Sequence, residues 1–426
     1  MQNNSKIIFL QNGASKPVIR TLDSYANIDY TFDESLVPNG IFREVYDYIK
    51  DRSDIPEQFI FTGVLAMFCG IVGTRIYWRS GMLKFKPHDY FILMAGSGDR
   101  KTTTLNKVGD IIEDLEEKIR DKDKHHNNVF LYPDFYPRIS MLRTLLDLMC
   151  ENSDAEIRAR TVAKEKGKPE PPPKVAQRSG VAIIDVVSVI FASMKSVYNR
   201  ELVFSLLDLW DGNPRTIATS IRNGGRRWFE DTALTVLSAD IPEVFVERLP
   251  KAYHDLILSR FQIINAEMSL QSRKTLLELK WEYQKYRNEI KKRYSDILEK
   301  LKQFYQFVVG LSEKPVLVSD EAEALDEQSV QVWYEESMDL YETTEGYMSE
   351  ITERYMTRLD TRKIRYALLF SILECFDQHG QSANAITMTG TAMQKAIEVC
   401  ELYKKHSLHF LVKAKEIRPN LFRWRR

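Results

Sequence analysis

FILMAGSGDRKTTT, residues 91–104, is an apolar run feeding a glycine turn, followed by Lys101 and three consecutive threonines. Strand, flexible turn, lysine, hydroxyl and helix start is the order of parts in a phosphate-binding loop. In such a loop the glycines let successive backbone N–H groups turn inward, and the helix N-terminus adds its dipole. The lysine then supplies a mobile, solvent-accessible charge for the β- and γ-phosphates. The candidate cradle is Gly96, Ser97, Gly98, Lys101, Thr102 and Thr103, with Thr102 placed to ligate magnesium. The strict pattern G-x-x-x-x-G-K-[ST] asks for glycine at positions 95 and 100, where this chain has Ala95 and Arg100. A derived loop that no longer binds and an unrelated turn remain competing readings.

A phosphate loop needs a carboxylate at the end of a neighbouring buried strand to orient magnesium, and often a following glutamate to polarise water. VAII followed by Asp185 fits the first requirement, and Val186 stands where the glutamate would serve. Glu201, Asp208 and Asp211 are alternative bases. ALTVLSAD, ending at residue 240, places Ser238 and Asp240 where a γ-phosphate sensor belongs, and Arg260 precedes a further strand, RFQIIN. An arginine there is positioned to reach a neighbouring subunit's phosphate. Loop, carboxylate, polar strand end and arginine follow one another as in ring-forming ATPases. Asn223-Gly224-Gly225 is a tight-turn signal whose flanks predict a hairpin carrying Arg222, Arg226 and Arg227 with Trp228 and Phe229. Arginine beside aromatic rings suits single- or double-stranded DNA, and it suits subunit packing equally well.

With 60 Lys+Arg against 60 Asp+Glu the net charge is zero, so nucleic-acid binding requires a local patch. Cys69, Cys150, Cys375 and Cys400 are far apart in apolar surroundings and read as buried thiols of a reducing, cytoplasmic compartment. The N-terminal MQNNSKIIFLQNG lacks a signal-peptide pattern. FIFTGVLAMFCGIVGT, residues 59–74, is shorter than the ~20 residues a membrane span needs, and reads as a buried helix.

The expected organisation is an α/β core with a mostly parallel sheet over 51–267, preceded by an arm or small addition over 1–50. Within the core, 151–180 carries many charges and four prolines and is expected to be an extended, mobile insertion. Ser140 is the expected cap of a helix reaching Cys150. From 268 to 426 the pattern is helical. A long charged helix over 272–306 suits an antiparallel pair or a projecting arm, and a helix start is expected after Ser319. The region closes with the basic, aromatic stretch LVKAKEIRPNLFRWRR.

The stretch from IPEQFIFTGV to KTTTLNK, with SGVAIIDVVS, LLDLWDGNP, ALTVLSAD, SRF, RYALLF and ITMTGTAMQKAIEVCELY, resembles the DUF3987 group. These are helicase-like proteins of phages, plasmids and bacterial mobile elements, and the likeness covers about residues 53–410. The resemblance implies a RecA/AAA-like P-loop ATPase core using ATP and Mg2+. Lys101 and Thr102 would bind phosphate and metal, Asp185 the metal, and Arg260 a neighbouring subunit's phosphate in a homo-oligomer, with a ring as one form. A degenerate member, serving as an oligomerising scaffold or regulator for a partner protein, with phage defence as one setting, is the alternative. The third reading is an α/β protein whose glycine loop has no nucleotide.

Overall fold

The computed structural model describes residues 21–119, 131–135, 139–171, 176, 178–212, 215–218, 225–250, 253–267, 286–312, 314–344 and 347–418. Helix α1 (Ile41–Lys50) leads to α2 (Glu57–Val72), which begins after Pro56 and is buried along nearly its whole length. This is the FIFTGVLAMFCGIV run, and no described helix is long and apolar enough to cross a membrane. A small hairpin, β1 (Trp78–Ser80) and β2 (Leu83–Phe85), follows. Strand β3 (Tyr90–Met94) is fully buried, as its unbroken apolar sequence demands for a strand covered on both faces. It delivers the glycine turn to α3 (Lys101–Ile119).

Next come β4 (Leu131–Phe135), α4 (Ile139–Met149), the short β5 (Asn152–Ser153) and α5 (Asp154–Glu165). Two expectations are corrected here. Ser140 lies inside α4 and not at its cap. The segment expected to be extended and mobile contains α5, whose start is fixed by Ser153 Oγ accepting the Glu156 amide. The charges that suggested a mobile loop belong instead to a helix with no buried residue. Residues 172–175 lie outside the described residues.

Strand β6 (Ser179–Ile184) is followed by α6 (Ser188–Ala192), α7 (Val197–Leu209), β7 (Arg215–Ala218), β8 (Arg226–Phe229) and β9 (Ala233–Asp240). Helices α8 (Pro242–Arg248) and α9 (His254–Leu258) lead to β10 (Phe261–Asn265). The five long strands form one sheet in the order β10-β3-β9-β6-β4, every pair parallel. Strands β5, β8 and β7 make a separate antiparallel sheet. In chain order the large sheet therefore reads fifth, first, fourth, third, second. The chain leaves β3 in one direction across the sheet, and returns through β6 and β9 to β10 in the other. With right-handed crossovers, α3 and the later helices lie on opposite faces. The connections leaving the adjacent strands β3 and β9 therefore run in opposite directions, and the crevice beyond the C-terminal ends of the strands at such a point is where open α/β sheets bind ligands.

Helix α10 (Arg287–Gly310) buries Ile297, Leu301, Phe304 and Val308 and packs against α1, α2 and α3. From Arg287 onward the long charged helix is thus docked and does not project, its apolar stripe meeting the helical layer on the sheet. Residues 268–285 lie outside the described residues. Strand β11 (Val316–Val318) pairs in parallel with β12 (Ile386–Met388). Ser319 caps α11 (Asp320–Thr343), as its sequence predicts, by accepting the Ala322 amide. The long α12 (Tyr347–His379) and α13 (Gly390–Ile417) pack along each other, and α13 also covers β10. The architecture is a mixed α/β core with parallel and antiparallel sheets and a largely helical C-terminal region. All four cysteines are free, and three are buried.

Candidate functional site at the end of β3

The turn after β3 is built by backbone conformation as much as by composition. Gly98 has φ 91°, which glycine adopts without cost. Arg100 has φ 61°, so the position where the loop pattern asks for glycine keeps a glycine-like backbone. Its guanidinium turns out of the loop to Asp54, with Nε 2.8 Å from Oδ2. The Thr104 amide donates to Arg100 O at 2.9 Å, closing the first turn of α3. The amides of Lys101, Thr102 and Thr103 are therefore those that a helix start leaves without an intrahelical acceptor, and they point along the positive end of its dipole.

Lys101 departs from expectation. It is only 9 % exposed, and its Nζ donates to Ala95 O at 2.7 Å and to Gly96 O. The lysine thus folds back over its own loop, with the loop carbonyls as its acceptors. Burial lowers its pKa, against the opposing pull of Asp99, Asp240, Asp185 and Glu243.

Asp185 follows β6, two strands from β3 and so about 10 Å across the sheet. The first turn of α3 spans this gap: Thr102 Oγ1 donates to Asp185 Oδ2 at 3.2 Å. The two residues proposed as magnesium ligands are thus brought together. Val186, directly after Asp185, has φ 55°. For a β-branched residue this is a sterically costly conformation.

Between them, at the end of β9, Asp240 is buried and accepts the amides of Ser188 (2.6 Å) and Ile241 (2.9 Å). Burial raises its pKa, opposed by these two bonds. Ser238 does not join the site, since its hydroxyl donates to Phe91 O at 2.7 Å inside the sheet. Alternation along the strand explains the difference, because residues two apart share a face but only the last reaches the strand end. Glu243, in the first turn of α8, was missed by the sequence reading. The available signal was its place three residues beyond Asp240, where Pro242 starts a helix.

No protein-family model matches this chain, and no curated protein matches it. The site is therefore judged on its own chemistry. Among the described residues no group of three or more His, Cys, Asp or Glu side chains is set to hold a metal. A Thr102 hydroxyl and an Asp185 carboxylate nonetheless fit Mg2+, which retains waters and takes further oxygens from phosphates.

The remaining sequence candidates lie elsewhere. Arg260 precedes β10, and Phe261 is level with Tyr90 at the start of β3. It is thus at the opposite edge of the sheet, about 15 Å from the loop, and is 9 % exposed. Asp211 contributes charge around Tyr90, on that same edge. On β8, Arg226 is exposed with its guanidinium 5.6 Å from the centre of the Trp228 ring, while Arg227 is 1 % exposed and ion-paired with Asp147 at 2.8 Å. Inward-facing Arg227 is thereby committed to packing. Arg222 lies outside the described residues.

Proposed function

We propose that the chain binds ATP with Mg2+ in the loop after β3, and is a RecA/AAA-like ATPase acting on nucleic acid in replication or mobile-element maintenance. The observation that carries this reading is the convergence of Lys101, Thr102, Asp185 and Asp240 at the ends of three consecutive parallel strands. The point where the connections from β3 and β9 diverge lies at the same place. Lys101 exchanges the carbonyls of Ala95 and Gly96 for phosphate oxygens. The amides of residues 101–103 hold the phosphates, and Thr102 and Asp185 hold the metal. Bound Mg2+ would neutralise phosphate charge. With Val186 unable to accept a proton, Glu243 is the carboxylate that takes the base role, and Asp240 positions the attacking water. Nucleic acid is engaged at the exposed Arg226–Trp228 face, and the motor works as a homo-oligomer.

A nucleotide-gated scaffold that binds ATP without turnover, and pairs with a partner protein, is the second reading. The valine at position 186 favours it. Titration with ATP and magnesium, with and without single-stranded DNA, separates the two when binding and phosphate release are followed in the same samples. Binding with DNA-stimulated release supports the motor, and binding alone supports the scaffold. In a folded Lys101→Ala protein we expect ATP affinity to fall by roughly 10- to 100-fold, the worth of a charge-assisted hydrogen bond. Unchanged affinity would sink both readings.

A further inference from the structure

The edge of the sheet opposite the loop gathers arginines that the candidate site does not use. Arg354, Arg358, Arg362 and Arg365 project from α12, and Arg260 comes from the turn before β10. Three of them surround one indole: the guanidinium centres of Arg358, Arg362 and Arg365 lie 5.7, 5.3 and 4.3 Å from the Trp210 ring centre.

Their counter-charges are unevenly shared. Arg362 donates to Asp89 Oδ2 at 3.0 Å, and Arg354 pairs with Asp255. Arg365 donates to the carbonyls of His88 and Trp210, each at 3.0 Å. Arg358 reaches only the Arg354 carbonyl of its own helix, at 3.2 Å, and Arg260 only the Leu256 carbonyl, at 3.3 Å. Neither has a carboxylate partner among the described residues. Arg260 Nε and Arg362 Nη1 are buried without an acceptor. Burial, together with the neighbouring charges of Arg260, Arg362 and Arg354, brings the Arg358 pKa down to about 10, with Asp211 opposing.

Charges removed from water are ordinarily paired, and guanidinium groups with free N–H donors match oxyanions in both charge and geometry. Arg358 is half-buried, so an ion from solvent can reach it. We propose that Arg358 and Arg260, backed by Arg362 Nη1, form a second oxyanion site for a phosphate-class anion. The site lies at the edge of the sheet opposite the loop, and its occupation by free phosphate does not depend on the loop binding nucleotide. The anion is either free phosphate or a phosphoryl group of nucleotide held by a second copy of the chain.

Thermal unfolding tests this in a Lys101→Ala background, which removes the loop's contribution. Millimolar inorganic phosphate, with ionic strength held constant by chloride, is expected to raise the midpoint by several degrees, because an anion that binds the native state stabilises it. The added Arg358→Gln substitution should abolish most of that shift. In phosphate-free chloride the same substitution should leave the midpoint unchanged or raised, since it relieves crowding. Arg358→Lys, which keeps the charge, should retain part of the phosphate shift and so separate anion binding from packing on Trp210. Equal shifts with and without Arg358, or no shift in Lys101→Ala, overturn the site. With the loop intact, an Arg358-dependent stabilisation by ATP that grows with protein concentration assigns the anion to a second copy. One independent of concentration assigns it to free anion.

Discussion

Arg100 and Val186 are the only non-glycine residues with positive φ among the described ones, at 61° and 55°. They are also two of the three positions where the chain departs from the expected motifs, Ala95 being the third. A left-handed backbone costs a side-chain-bearing residue about 1–2 kcal/mol, and such strain persists where the surroundings impose it, commonly at functional sites. Arg100→Gly relieves that strain but strands the Asp54 carboxylate, whose side chain is 2 % exposed. Leaving a buried acceptor unpaired costs about 1–3 kcal/mol, so we expect a lower urea midpoint. Adding Asp54→Asn should recover most of the loss. A single mutant more stable than the parent would show that Asp54 has another partner. Val186→Gly should behave differently. It frees the backbone beside Asp185 and should leave thermal stability equal or raised by up to about 1 kcal/mol, while loosening Asp185 from Thr102 and weakening magnesium-dependent ATP binding. The loop, Asp185 and Asp240 were legible because apolar strands ending in polar residues leave a pattern. Arg100 looked like a broken motif because a sequence shows residue type and not φ. The retracted Lys101 left no signal at all, since its acceptors are main-chain carbonyls.

Helix α2 owes its close packing to its small residues. A Cβ on Gly70 would come 2.2 Å from Val181 Cγ2 on β6, and one on Gly63 2.7 Å from Val108 Cγ2 on α3. Gly70→Ala should therefore force α2 off the sheet and cost about 1–3 kcal/mol, read as a lower unfolding midpoint despite alanine's better helix propensity. A rise would mean that the helix shifts freely. At the other end of the layer, Asp377 of α12 accepts the Ile41 amide at the start of α1 (3.3 Å). Burial pushes its carboxyl up to about 6 from 3.8. Because the folded pKa is the higher one, the ionised form is penalised. This group's contribution is most favourable below about pH 4 and declines as pH rises to about 6, then stays level. Relative to Asp377→Asn, the wild type should gain stability between pH 7 and pH 4. A pH-independent difference would place the titration elsewhere. Long apolar helices and their caps, such as Ser319, were legible from periodicity. Helix α5 was misread because charges and nearby prolines look alike on a solvated helix and on a loop, and the docking of α10 depends on α1 and α3, which are distant in sequence.

The five-strand order could not be read from the sequence, which supplied four of the strands and their parallel character but not which ones adjoin. That order follows from crossovers and from the helices each face must bury. The helical region is held together, and to the segment before α1, by charges as well as by apolar contacts. Lys404 of α13 is buried, and its Nζ lies 2.6 Å from Glu336 of α11 and 2.7 Å from Glu401, while Glu336 also accepts the Tyr25 hydroxyl. Trp333 Nε1 donates to Glu401 at 2.6 Å. Residues before α1, a helix of the C-terminal region and the helix covering β10 thus meet at a single cation. Truncating one partner of a buried pair leaves the other uncompensated, at a cost of about 3–5 kcal/mol, whereas replacing both with apolar groups of similar volume is often neutral. Lys404→Ala should therefore lower the urea midpoint sharply. Lys404→Met with Glu336→Leu should recover part of the loss, limited by the Tyr25 hydroxyl and Glu401 that it leaves behind. If Tyr25→Phe in that double mutant restores stability further, the hydroxyl was the residual cost. If Lys404→Ala is nearly silent, the three segments are held by apolar packing alone.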